Sequence, residues 1–284
     1  EKTNFIAIQN ATRGDLLDLD YLYKTKKIKH NFLKKFYIPN LYCFGDYERD
    51  LYQQLDIKVK NIYPIGDLRL ANCLYHIKTE NDSSKKYNSD ICLIFQPVGR
   101  YEEAQEKNTM FSYICQKNRN IERGLAEVVK YTIKFCIKNN MRLIVPCKRD
   151  KKYSPYAHKF EIEFLKRNLN KEEFDYVQKN LLEKDKDRDH FSSLRAVINS
   201  EVTVSTFTTL LKDKLATGGK ILSCNLTKED RYNFPINGIC TINNCSYVEF
   251  EKRLLEIYSI SKESYFSKMD KKPDYVMKFN KNNS

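Results

Sequence analysis

Four hydroxyls crowd into five consecutive positions of this chain: Ser205, Thr206, Thr208 and Thr209. They follow an apolar β-run that ends at Val204 and precede a helical pattern over Leu210–Ala216. Gly218-Gly219 then turns the chain into a second β-run, Lys220–Cys224. A strand that breaks into hydroxyls and a helix N-terminus offers O–H and backbone N–H donors together, with the positive end of the helix dipole behind them. The chemistry served by such a loop is the holding of phosphate oxygens, and in an α/β protein that points to a nucleotide. The plain alternative is an N-cap, in which one Ser or Thr satisfies orphan N–H groups and no ligand takes part. Four hydroxyls exceed the need of one cap, which favours the ligand.

Two more strand exits carry polar groups. Phe95-Gln96-Pro97-Val98-Gly99-Arg100 puts Gln96 and Arg100 beyond the carboxyl end of a β-run, where open α/β sheets bind ligands. An ordinary Pro-Gly loop explains the same residues equally well. Leu143–Lys152 closes another run with Lys148, Arg149, Lys151 and Lys152, cations suited to a nucleotide phosphate or to bulk water. His158, Glu161 and Glu163 follow and could project toward the same cleft, although a lone histidine is more often structural. Nearer the N-terminus, Arg13 and Asp15 lie in QNATRGD and Asp67 and Arg69 in YPIGDLR. Either aspartate could act as base or nucleophile and either arginine could hold an anion. Asp67 could equally cap the helix that runs to Ile77.

Several reaction classes lack their signatures. There is no GxxxxGK[ST], GxGxxG, GxSxG or HExxH, so kinase, dehydrogenase, serine-hydrolase and zinc-protease chemistry find no support. The four histidines, His30, His76, His158 and His190, are scattered, and no metal site is expected. Asp-x-Asp occurs at Asp18/Asp20, in a helical pattern, and at Asp185/Asp187, in a solvated charge run.

The elements that must position these residues alternate along the chain. Short β-runs read as Phe5–Gln9, Asn40–Phe44, Asn61–Ile65, Ile91–Gln96, Arg142–Pro146, Ala196–Val204, Lys220–Cys224 and Gly238–Ile242. Most are apolar on both faces, as in parallel strands covered by helices. Amphipathic stripes between them mark helices at Asp46–Gln54, Glu122–Asn139, Tyr156–Arg167, Lys171–Glu183 and Tyr247–Tyr258. This alternation predicts an α/β fold of Rossmann-like domains. The polar stretch Lys78–Ser89 reads as a linker. It divides a first α/β domain, 1–78, from a second, 79–284, whose polar end from Ser261 forms a helix and a tail that packs back across the cleft. The chain opens on Glu1-Lys2 without Met, so the first domain is expected to continue upstream.

Composition narrows the partners. With 41% hydrophobic and 13% aromatic residues in 284 positions, the chain is globular, and no run approaches the ~18 apolar residues of a membrane span. Nine cysteines without a CxxC pair sit mostly in apolar elements, which fits free thiols in a reducing cytoplasm. Fifty Lys+Arg against thirty-seven Asp+Glu leave +13, suited to phosphorylated ligands or to the anionic inner face of a membrane. The lysines are spread along the chain and no nucleic-acid-binding motif appears, so no specific nucleic acid is expected.

The order of these segments resembles the GT-B glycosyltransferase superfamily, notably bacterial surface-polysaccharide (O-antigen or capsule) enzymes and, distantly, the polyglycerol-phosphate transferases of wall teichoic acid. The similar segments are IAIQNATRGD, NLYCFGDYERDLY and VKNIYPIGDLRLANCLY before the linker, and ICLIFQPVGR, RLIVPCKRD and SLRAVINSEVTVSTFTTLLKDKLATGGKILSCN after it. The resemblance implies two Rossmann-like domains facing a cleft, a nucleotide-activated sugar as substrate, no cofactor or metal, and a glycan or lipid-linked acceptor. It assigns donor-phosphate contacts to Ser205, Thr206, Thr208 and Thr209. The sequence departs from the teichoic-acid pattern twice: Gln9-Asn10 stands in place of a His-Gly, and Pro146-Cys147-Lys148 in place of a His-Pro. A polyol-phosphate transferase, a nucleotide-sugar epimerase and a non-catalytic nucleotide- or glycan-binding module remain the alternatives.

Overall fold

A computed structural model describes residues 6–9, 37–55, 57–79, 87–97, 119–184 and 189–279. Arg13, Asp15, Arg100, both Asp-x-Asp pairs and most of the expected linker lie outside the described residues.

Two parallel sheets form, joined by helical crossovers, as the Rossmann-like α/β expectation requires. In the first, β1 (Ile6–Ile8), β2 (Tyr37–Cys43) and β3 (Lys58–Pro64) lie in the order β1-β2-β3. Helix α1 (Asp46–Gln54) starts directly behind Gly45, and the Glu48 carboxylate accepts the Gly45 N–H at 3.0 Å, closing the first turn. Leu51 and Tyr52 of α1 pack with Leu41, Cys43, Leu55 and Ile57 in a small core of their own. Helix α2 (Leu68–Thr79) follows β3.

The second sheet has six strands: β4 (Ser89–Leu93), β5 (Leu143–Asp150), β6 (Leu181–Lys184), β7 (Ser200–Ser205), β8 (Lys220–Asn225) and β9 (Thr241–Asn243). Their spatial order is β6-β5-β4-β7-β8-β9, all parallel. Counted from β4, this is the 3-2-1-4-5-6 order of the doubly wound dinucleotide-binding fold. Central strands buried on both faces explain the continuous apolar runs: every residue of β8 is buried. Helices α3 (Arg119–Lys138), α4 (Pro155–Asn168), α5 (Lys171–Lys179), α6 (Ser192–Asn199), α7 (Thr209–Ala216) and α8 (Tyr247–Ser259) cover it.

Several boundaries differ from the pattern reading, among them the strand expected at Gly238–Ile242, which forms only over Thr241–Asn243, and two that change the type of element. Residues Ala196–Asn199 are helix, the end of α6, and β7 begins only at Ser200. An apolar run of Ala, Val and Ile fits either period, and the Ser200 hydroxyl resolves it by closing the helix on Val197 O at 2.8 Å. The stretch Lys171–Glu183 is not one helix. It stops at Lys179, and Leu181–Lys184 becomes an edge strand paired with β5.

The C-terminal segment returns to the first sheet. After α9 (Lys262–Ser267), Lys278 N–H donates to Phe44 O at 2.8 Å, Tyr275 O–H to Asp50 at 2.9 Å, and Lys278 Nζ pairs with Asp46 at 3.3 Å. A Cβ on Gly45 would collide with the backbone of 275–277, and one on Gly66 with Lys278 O. Gly66 also holds φ +90°, so glycine is required there on both counts.

Candidate functional site

The strand order of the second sheet reverses between β4 and β7. In open α/β sheets the crevice for a ligand lies outside the carboxyl ends of the two strands at that point. Leu93 pairs with Val204, and the Ile94 N–H donates to Val204 O at 2.9 Å, so both exits leave the sheet side by side. One carries Gln96, exposed; the other carries Ser205 and Thr206, both buried, then Thr208 and Thr209 at the start of α7.

The hydroxyls divide their work. Thr208 is the N-cap of α7, accepting from the Leu210 N–H at 3.4 Å, so the plain cap reading holds for that residue. The Thr206 carbonyl accepts from the Ser223 hydroxyl of β8 at 2.5 Å, which anchors the loop to the next strand. The Thr206 hydroxyl itself is buried and has no hydrogen-bond partner among the described residues. A native protein rarely leaves such a group unpaired, and a phosphate oxygen would satisfy it.

The body of α7 is different. All of Leu211–Ala216 is buried although three of these residues are charged. Lys212 Nζ meets the Glu48 carboxylate at 2.7 Å, with both side chains buried, and lies 4.9 Å from the centre of the Tyr47 ring. Glu48 also accepts from Gln9 Nε2 at 3.1 Å, and Gln9 Oε1 accepts the Phe44 N–H at 3.1 Å. Asp213 pairs with Arg69 at 2.8 Å through one carboxylate oxygen, while the other has no partner among the described residues. Burial pushes Asp213 up to about 8, against the pull of Arg69 and with help from Asp67. Lys214 donates to Ile198 O at 2.9 Å and Ser200 O at 2.5 Å, and burial pulls its ammonium down to about 8. Thus the exits of β1, β2 and β3 in the first sheet are bolted to the helix that follows β7 in the second. Sequence reasoning missed Gln9, Glu48, Lys212 and Asp213; the detectable signal was KDK inside an otherwise apolar eight-residue helix.

The remaining expected residues fall elsewhere. Asp67 accepts the Arg69 N–H at 2.8 Å and its guanidinium at 3.5 Å, so it caps α2 and steers Arg69 toward Asp213. Lys148 and Arg149 sit within β5, which runs on to Asp150 instead of stopping at Pro146. Both are exposed. His158 and Glu161 fold back onto β5 and are buried, whereas Glu163 is exposed and pairs with Lys159. A cavity of about 310 Å³ opens at the exits of β8 and β9, lined by residues that include Arg123, Glu127, Tyr131, Thr227, Lys228 and Asn244. Its cations come from α3 and from the loop after β8, neither of which forms a motif. The eight described cysteines are free, Cys245 half-buried and the others buried. No helix among the described residues is long and apolar enough to cross a membrane.

No protein-family model matches the chain, and no curated protein matches it by sequence. Among solved structures it is similar to trehalose-6-phosphate synthase OtsA, with TM-score 0.41 and 13% identity over 75% of this chain and 46% of that one. It is similar to a UDP-forming α,α-trehalose-phosphate synthase from Burkholderia xenovorans, with TM-score 0.41 and 10% identity over 93% of this chain and 68% of that one. A glycosyltransferase from Rickettsia africae ESF-5 gives TM-score 0.36 and 11% identity over 92% of this chain and 64% of that one. The chain therefore spans less than half of the OtsA chain and about two thirds of the other two.

Proposed function

We propose that this chain is a GT-B glycosyltransferase that moves a sugar from a nucleotide-activated donor to a glycan acceptor. One observation carries the reading: the point where the strand order reverses, between β4 and β7, coincides with a buried Thr206 hydroxyl that has no partner among the described residues. The donor phosphates lie against Thr206 and the first N–H groups of α7, with Gln96 on the neighbouring exit. Donors aimed at the phosphate oxygens before reaction stabilise the charge that develops as the nucleotide departs, in a setting where water does not screen them. That stabilisation comes from N–H and O–H groups, so the chemistry needs no metal. Residues 1–78 form the acceptor side and 79–284 the donor side. The acceptor is a surface glycan, free or lipid-linked, and the excess of lysine favours contact with the anionic inner membrane face.

A second reading has its own support. The described acids near the junction are engaged, Glu48 with Lys212, Asp67 with Arg69 and Asp213 with Arg69. A module that binds a nucleotide without turnover needs no free acid. Product analysis with CMP-, UDP-, GDP- and CDP-activated donors separates the two. Transfer of sugar from one donor is expected. Stabilisation by a nucleotide with no transfer from any donor, in the full-length protein, would leave the binding module in its place.

A further inference from the structure

Three side chains that the sequence scatters over fifteen positions meet behind β5. The Cys147 thiol, a ring nitrogen of His158 and a carboxylate oxygen of Glu161 all lie within 4.8 Å of one another, and all three residues are buried. His158 and Glu161 are three apart on α4 and so share one face of that helix. Glu183, on the adjacent edge strand β6, reaches to 3.5 Å from His158 Nε2. We propose that Cys147, His158, Glu161 and Glu183 bind a divalent ion of the zinc class, which staples α4 and β6 to β5.

The orientation of the imidazole carries the argument. His158 Nδ1 faces the Arg149 carbonyl at 3.3 Å, and a carbonyl can only accept, so Nδ1 bears hydrogen. Nε2 then points its lone pair at the Glu183 carboxylate, another acceptor. Two acceptors cannot face each other without a cation between them. A proton would serve, making an imidazolium; a metal ion serves both groups and recruits the sulfur and Glu161 as well. The Nδ1–H to carbonyl bond is the outer contact that metal-bound histidines commonly make, fixing the tautomer that leaves Nε2 as ligand. Glu161 is held likewise, accepting the Arg149 N–H at 3.2 Å. One backbone residue therefore orients two of the four ligands.

The donor set selects the ion. One sulfur, one imidazole nitrogen and two carboxylates form the mixed tetrahedral shell that suits zinc, with cobalt as its spectroscopic stand-in, and magnesium or calcium would want oxygen alone. Three of the ligands are buried together, and Glu183, whose side chain is 56% exposed, turns in from His158 to close the shell in the structural form. On binding, the Cys147 thiol gives its proton to solvent and its sulfur lone pair to the metal, so binding releases a proton and strengthens as pH rises.

The test uses the whole chain, stripped with a chelator, dialysed, and titrated with Zn²⁺ or Co²⁺. One equivalent of zinc is expected, with a rise in Tm of about 5 °C at a hundredfold excess over Kd. Cobalt should give tetrahedral d–d bands and a thiolate-to-cobalt charge-transfer band. Cys147→Ser should abolish that band and weaken zinc roughly 100-fold or more, while Glu163→Gln, exposed on the same helix, changes neither. Should Cys147→Ser fail to fold, the wild-type cobalt spectrum decides alone. Absence of stoichiometric binding, or an octahedral cobalt spectrum without charge transfer, would overturn the assignment.

Discussion

The body of α7 and the loop that leads into it sit a few residues apart and treat their polar groups in opposite ways. In the helix, Lys212 and Asp213 are fully buried, Lys212 against the Glu48 carboxylate of α1 and Asp213 accepting from the Arg69 guanidinium of α2. In the loop, Thr206 is nearly as buried and its hydroxyl meets nothing among the described residues. An unpaired buried charge would cost far more than an unpaired hydroxyl, so the charges must be satisfied from within the protein while a hydroxyl can wait for a ligand. The difference marks the helix as a fastening between the two sheets and the loop before it as a place prepared for something else.

Breaking the fastening should produce the largest effect. Lys212→Met leaves the Glu48 carboxylate buried without its cation, which costs about 3–5 kcal/mol. Adding Glu48→Gln should recover part of that, because it removes the stranded charge and its amide oxygen can still accept the Gly45 N–H. Urea unfolding midpoints of the two single variants and the double variant check this. Additive losses would mean that the two side chains do not interact.

The same junction should make stability depend on pH. The folded state holds the Asp213 proton up to about 8, whereas an unfolded aspartate loses it near 3.8. Between those values the folded chain binds the extra proton, so this group's contribution is complete below about 4 and is lost as pH rises toward 8. Its slope is at most about 1.4 kcal/mol per pH unit. Asp213→Asn should flatten the wild-type profile by that difference, measured as unfolding free energy from pH 5 to 8. Parallel profiles would contradict the raised value.

Smaller effects sharpen the contrast. Asp67→Ala removes the α2 cap and frees Arg69, for a loss of about 1 kcal/mol in the unfolding midpoint. Thr206→Val should shift stability by no more than about 0.5 kcal/mol, since it deletes a hydroxyl that has no partner to lose. A loss as large as that of Lys212→Met would show that Thr206 is part of the fastening.

Much of this was legible in the residues. Helix Asp46–Gln54 matches its pattern end to end, because its apolar stripe and the glycine before it agree. The hydroxyl loop was visible because short polar residues between two apolar strands have few other uses. Its division into a cap, Thr208, and a buried orphan, Thr206, depends on the bond from Ser223 across β8, which no local pattern carries. Likewise Ala196–Asn199 satisfied both periods, and only the turn at Ser200 separates helix from strand. Glu48 and Lys212 are 164 residues apart, and the gathering of Cys147 with His158 and Glu161 needs α4 to fold back onto β5. Contacts of that kind belong to the topology, and a linear reading sees only scattered histidines.

The central claim is that the exits of β4 and β7 hold a nucleotide phosphate through Thr206 and the start of α7. Calorimetric titration of the wild type and of Thr206→Val with UDP, GDP, CDP and CMP tests it most directly. One nucleotide should bind the wild type and bind the variant about 10-fold more weakly or worse, the loss expected for a hydrogen bond to a charged group. Equal affinity for both proteins, or no binding by any of the four, would contradict the account.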